Sequence, residues 1–199
     1  MILRILAAAT IVTTIATASA TAQTQRLRGE IQRVDGTTIF AKARDGSAVT
    51  LKLADNVVIT AVYKATLADI HAGDYIGSGA TPQPDGSQKA IEVHIFAPSM
   101  RNQGDGHRPW NGAPNSTMTN GAVDSMVAGV DGPVLVVKYK DGEKKIIVGP
   151  DTPIVRYQVG EMADLKAGAV FSVVAATRQP DGTFTAARIN VGRDGGTPP

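Results

Sequence analysis

Cysteine is absent from the 199-residue sequence. Without thiols the chain has no disulfides, no thiol nucleophile, no CxxC redox pair and no cysteine-ligated zinc. Its stability must then come from packing alone. Aromatic residues are also scarce, with one Trp, four Tyr and four Phe. Nine rings offer little for the stacked platforms that grip single-stranded nucleic acid. Charge of one sign is missing too. Twenty basic residues face 18 acidic ones, a net +2, and no run of like charge occurs. A dominant phosphate-binding footprint is therefore not supported. No Gly-x-Ser-x-Gly elbow, Ser-x-x-Lys pair, His-Glu-x-x-His motif, P-loop or dinucleotide fingerprint is present. The sequence thus points away from an enzyme and implies no cofactor.

What the chain does have begins with a leader. Arg4 precedes an apolar stretch, Ile5 to Ile15, that is too short to span a bilayer. Ala18-Ser19-Ala20-Thr21-Ala22 follows and offers small-x-small cleavage sites after Ala22 or Ala20. Residues 1–22 therefore read as a signal peptide, and the expected address is periplasmic or secreted. No cysteine follows to take a lipid anchor. Loss of Arg4 lowers the net charge from +2 to +1. No later apolar segment is long enough to cross a membrane, so the mature form is expected to have no span.

The remainder matches itself at an offset of 96 residues. Val34-Asp35-Gly36 returns as Val130-Asp131-Gly132, and Gln83-Pro84-Asp85-Gly86 as Gln179-Pro180-Asp181-Gly182. Ala68-Asp69-Ile70 returns as Ala163-Asp164-Leu165 at an offset of 95. Between the matched turns apolar and polar residues alternate, as in half-buried strands. In the first copy these are Glu30–Val34, Thr38–Ala43, Ala48–Leu53, Val57–Val62, Tyr75–Ala80 and Ala90–Phe96, with one helical turn at Thr66–Ile70. In the second they are Met126–Val130, Val134–Lys138, Lys144–Val148, Ile154–Tyr157, Val170–Ala176 and Thr183–Val191. Asp-Gly between such runs favours tight hairpins. Calcium loops need several acids at alternate positions, and here each Asp stands nearly alone.

The expected fold is all-β: two tandem small β-barrels, OB-like or SH3-like, each of about six strands with one helical turn. The division is a first barrel at 23–98, a linker at 99–121, a second barrel at 122–192 and a disordered tail at 193–199. A unit of about 70 residues is marginal alone, so the copies are expected to pack together or share strands.

The blocks Val34-Asp35-Gly36, Leu67 to Asp74 and Pro84-Asp85-Gly86, with their counterparts Val130-Asp131-Gly132, Met162 to Ala169 and Pro180-Asp181-Gly182, give the chain a familiar look. It resembles a small bacterial extracytoplasmic domain of unknown function, the one numbered 5666 among such domains. The resemblance implies a β-barrel fold and an envelope address, and brings no catalytic residues.

Candidate sites are few. The Gly/Asn/Pro-rich linker carries the only tryptophan, in His107-Arg108-Pro109-Trp110-Asn111. Trp110, Arg108 and His107 form a candidate ligand platform by stacking or cation–π contact. Alternatively Trp110 pins the linker between the barrels. Glu92 and His94, two apart on one strand, can reach a common metal, or can lie on a solvated polar face. Asp69, Asp74 and Asp164 are the acids nearest to carboxylate hydrolase chemistry, although acids at such turns are normally caps. Three classes of function follow. The first is a non-catalytic binding module of the envelope whose partner is a protein, a peptide or a glycan. The second is a periplasmic metal-handling protein, and the third a hydrolase. Nucleic acid is not an expected partner.

Overall fold

The Asp-Gly turns set the strand ends. Asp45 Oδ1 accepts hydrogen bonds from the Ser47 N–H (2.9 Å) and hydroxyl (2.6 Å). Asp85 holds Ser87 and Asp181 holds Thr183 in the same way. Side-chain bonds of this kind mimic a backbone turn and reverse the chain within two residues. The computed structural model describes residues 24–199. The leader expected at 1–22 lies outside the described residues.

The strands are β1 (Thr24–Asp35), β2 (Thr38–Ala43), β3 (Ala48–Ala65), β4 (Tyr75–Pro82), β5 (Gln88–Phe96), β6 (Gly106–Trp110), β7 (Ser116–Val127), β8 (Val134–Tyr139), β9 (Gly142–Ile147), β10 (Ile154–Val159), β11 (Val170–Arg178) and β12 (Phe184–Gly192). Short 3-10 turns lie at Leu67–Asp69, Pro98–Met100 and Met162–Asp164. The described chain is all-β, and none of its helices is long and apolar enough to cross a membrane.

The turn-forming acids respond to pH in one direction. Asp45, Asp85 and Asp181 are all held below the ordinary carboxylate range by their Ser or Thr partners. The Thr183 hydroxyl, then its N–H, then Lys52 bring Asp181 down to about 2. A carboxylate whose folded pKa is depressed adds stability above its unfolded value of about 3.9, and loses it as pH falls. Denaturant midpoints should therefore drop between about pH 4 and pH 2. Asp181→Asn should shrink that drop, and an undiminished drop in the variant would assign it to other acids.

The strand pairings form a closed ring. β1 pairs with β2, β2 with β3, β3 in parallel with β12, β12 with β11, and β11 with β1. The pairings run all the way round this five-stranded barrel. Its core joins Leu27, Ile31, Ile39 and Leu51 to Phe171, Val173, Ile189 and Val191. A second ring of pairings runs β4–β7–β8–β9–β5–β4, closed by two parallel register pairs, Gln88↔Ile146 and Lys89↔Ile147. Its core gathers Ile76, Val93, Val123, Leu135 and Ile146. β10 bridges the rings, antiparallel to the end of β3 (Ala65↔Ile154 to Thr60↔Val159) and parallel to β5.

Several expectations are corrected by this arrangement. Residues 23–98 and 122–192 do not each close on themselves. β1–β3 close with β11 and β12, and β7–β9 close with β4 and β5, so each half lends a hairpin to the other. A stretch of 18 residues, β3, replaces two expected strands, because Ala54-Asp55-Asn56 stays extended. The 99–121 stretch is not a plain linker: it holds a 3-10 turn, β6 and the start of β7. β7 begins ten residues before the expected Met126. Its polar Ser116, Thr119 and Asn120 are buried nonetheless, each engaged by a hydrogen bond. The 193–199 tail packs down. Gly196 and Pro198 are buried, and the Gly196 N–H donates to the Arg193 carbonyl.

Candidate functional site

β6 is held by its neighbours rather than by its own composition. It pairs antiparallel with β7 from Gly106↔Asn120 to Trp110↔Ser116. The Trp110 ring lies over Gly79 of β4, where a Cβ would come within 2.6 Å of the ring, and also against Gly112. Glycine at 79 makes the slot that a ring can enter. Just ahead of β6, Asp105 accepts from the Tyr75 hydroxyl (3.0 Å) and from the Lys140 N–H (2.9 Å). Burial, then the Asp105 carboxylate, push the Tyr75 pKa upward.

The three platform candidates face different surroundings. His107 Nδ1 meets the Thr119 hydroxyl at 2.8 Å, and its ring stacks 6.3 Å from that of Tyr139. Burial and Lys144 depress its pKa, which favours the neutral ring. Arg108 is exposed and donates to the Gly104 carbonyl. Among the described residues no cation–π contact joins Arg108 to Trp110; the contacts found pair Arg33 with Phe40, Arg101 with Tyr75 and Arg193 with Tyr63.

Glu92 and His94 do come together, but not on a solvated face. Their side chains are buried, with Glu92 Oε1 3.0 Å from His94 Nε2. The approach is not aligned with the ring N–H, so Nε2 makes no directed hydrogen bond among the described residues. The His94 ring stacks on Tyr157 at 4.7 Å. Burial, then Glu92, drive the Tyr157 pKa upward. Among the described residues no third His, Cys, Asp or Glu completes a metal site. The turn acids act as local caps. Asp69 accepts from the Thr66 N–H and hydroxyl, Asp74 from the His71 N–H, and Asp164 from the Glu161 N–H and Arg193.

A site that sequence reasoning missed lies on the first ring. Arg26 and Arg28 of β1, Arg44 of the β2–β3 turn and Arg178 of β11 line one open cavity of about 730 Å³. Asp45, also in its wall, spends one oxygen on Ser47. Among the described residues Arg26 reaches only Asn111 Oδ1, at 3.4 Å. The Arg28 Nε is buried and has no hydrogen-bond partner among the described residues. Burial, then Arg26 and Arg44, push the Arg28 pKa down, with Glu92 and Tyr157 opposing. Guanidiniums so grouped repel one another, and an anion between them relieves both the repulsion and the missing hydrogen bonds.

No family model, curated protein or solved structure matches the chain. The resemblance noted above therefore rests on its sequence blocks alone.

Proposed function

We propose that the protein is an exported, non-catalytic binding module of the cell envelope, and that its ligand is anionic. The observation that carries the reading is the four-arginine cavity. Arginine presents a planar fork of donors suited to carboxylate or phosphate. Small β-barrels, OB-like or SH3-like, serve many unrelated binding tasks, so the site and not the fold has to supply the argument. The envelope address rests on the leader and on the family resemblance. Inorganic tripolyphosphate is the simplest probe. It should raise the melting temperature of the protein at low salt, and the shift should shrink as salt rises. In the double variant Arg28→Glu, Arg178→Glu the shift should vanish. An equal shift in that variant, or none in the parent, would remove the reading.

A second reading, metal handling through Glu92 and His94, is favoured by the unpaired Nε2 beside a carboxylate. Arg28, close enough for Glu92 to influence its protonation, opposes a cation there. Heat on titrating zinc that disappears in His94→Ala would establish the metal reading.

A further inference from the structure

The two rings are built on one plan, and one of the places where they depart from it is the edge of β1. Ile31 of β1 donates to the Ala169 carbonyl and accepts from the Gly168 N–H. Val123 of β7 donates to the Asp74 carbonyl and accepts from the Gly73 N–H. Gly29 and Gly121 are matched as well, since a Cβ on either would strike a carbonyl, that of Lys42 or that of Lys138. Residues 24–31 of β1 thus hold the places that 116–123 hold in β7.

On its far edge, the first part of β7 carries β6. The first part of β1 pairs with β11 on one side. On the other side, among the described residues, no strand pairs with Thr24–Arg28; only the Arg44 N–H closes on the Arg28 carbonyl, at 2.9 Å. The arginine cavity lies along this edge. His107 of β6 lies against Tyr139 and near Lys144, and the residues 96 positions earlier, Ala43 and Ala48, line the cavity. The cavity is therefore the place on the first ring that β6 fills on the second.

Building on the anionic-ligand reading, we propose that the occupant is an extended acidic peptide segment of a partner protein, which adds to β1 as an antiparallel strand over Thr24–Arg28. Main-chain hydrogen bonds to the strand edge supply affinity, and the side chains on alternate positions supply specificity. In antiparallel pairs, directly opposed residues share a face. Arg26 and Arg28 hold the places of Met118 and Asn120, which oppose Arg108 and Gly106. The peptide residues facing the two arginines are therefore two apart, which calls for a Glu-x-Glu pattern. Arg44 and Arg178 flank the same trough.

The test uses the full chain and a fluorescent hexapeptide, acetyl-Thr-Glu-Val-Glu-Val-Thr-amide, read by anisotropy and by backbone amide shifts. Binding is expected, with the largest amide shifts at Gln25 to Arg28. N-methylation of the peptide amides that face the edge should weaken binding about tenfold or more, with its charge unchanged. The double variant Arg26→Glu, Arg28→Glu should do the same, its fold checked by circular dichroism. Equal binding of the methylated peptide would overturn strand addition and leave an anion site held by charge alone. Binding of tripolyphosphate or a heparin fragment, but not of the peptide, would overturn the peptide and keep the anion reading. Binding of none of them would remove both.

Discussion

Expressed apart, residues 24–112 and 113–199 should each fail to fold, and mixing them should restore the protein as a one-to-one complex. The first piece holds β1–β3 but lacks β11 and β12, which close the ring around Ile31, Ile39 and Leu51. It also holds β4 and β5, whose ring partners β7–β9 lie in the second piece. Each piece alone would leave two incomplete sheets with bare cores and open edges. The break falls between exposed Gly112 and the next residue, so no strand is cut. Circular dichroism and size-exclusion chromatography of the pieces and of the mixture check the result. A folded monomer from either piece would mean that the halves can close independently, as a purely tandem arrangement requires.

Phe171→Ala should cost about 3–5 kcal/mol, the range for emptying a large aromatic site in a packed core. Phe171 is among the largest fully buried side chains, at 1% exposure. It comes from β11, yet its cluster includes Leu27, Ile31, Ile39 and Leu51 from the other half of the chain. A loss of that size is a large share of the 5–15 kcal/mol that separates folded from unfolded chains. It should appear as a fall in the denaturant midpoint with little change in slope. Phe40→Ala is the control. Phe40 is only half-buried, on the outer side of β2 with Arg33 over its ring at 3.9 Å, and should lose much less. Equal losses in the two variants would show that Phe171 does not occupy a shared core.

Local features were legible in the sequence. The Asp-Gly turns at 35, 45, 85, 141 and 181, the alternation of Val49, Leu51 and Leu53, and the single helical turns at Leu67 and Met162 appear where residue chemistry puts them, whereas Asp131-Gly132 sits in a longer connection because β7 ends at Val127. Partner choice was not legible. A period of two says which side chains face a core, but not which strand covers them. The two halves carry similar hairpins, so lending one to the other changes no local pattern. The sequence predicts β7 too short because Ser116 to Asn120 is mostly polar, and its burial is explained by hydrogen bonds to Ala113, His107 and Gln103. The arginine cavity leaves no mark in the sequence for a related reason. Arg26, Arg28, Arg44 and Arg178 are scattered over most of the chain, and a nearly balanced total charge hides a local excess.

The register Thr24↔Thr177 and the pairing of β3 with β12 make the first ring, begun at β1, dependent on strands more than a hundred residues further along the chain. Contacts this remote in sequence close slowly. Until Val191 of β12 is free to join, β1 waits with β2 and β3 as a half-built sheet, so the time this chain spends sticky is governed by the arrival of β11 and β12. Premature termination there should yield an aggregate rather than a shortened working protein.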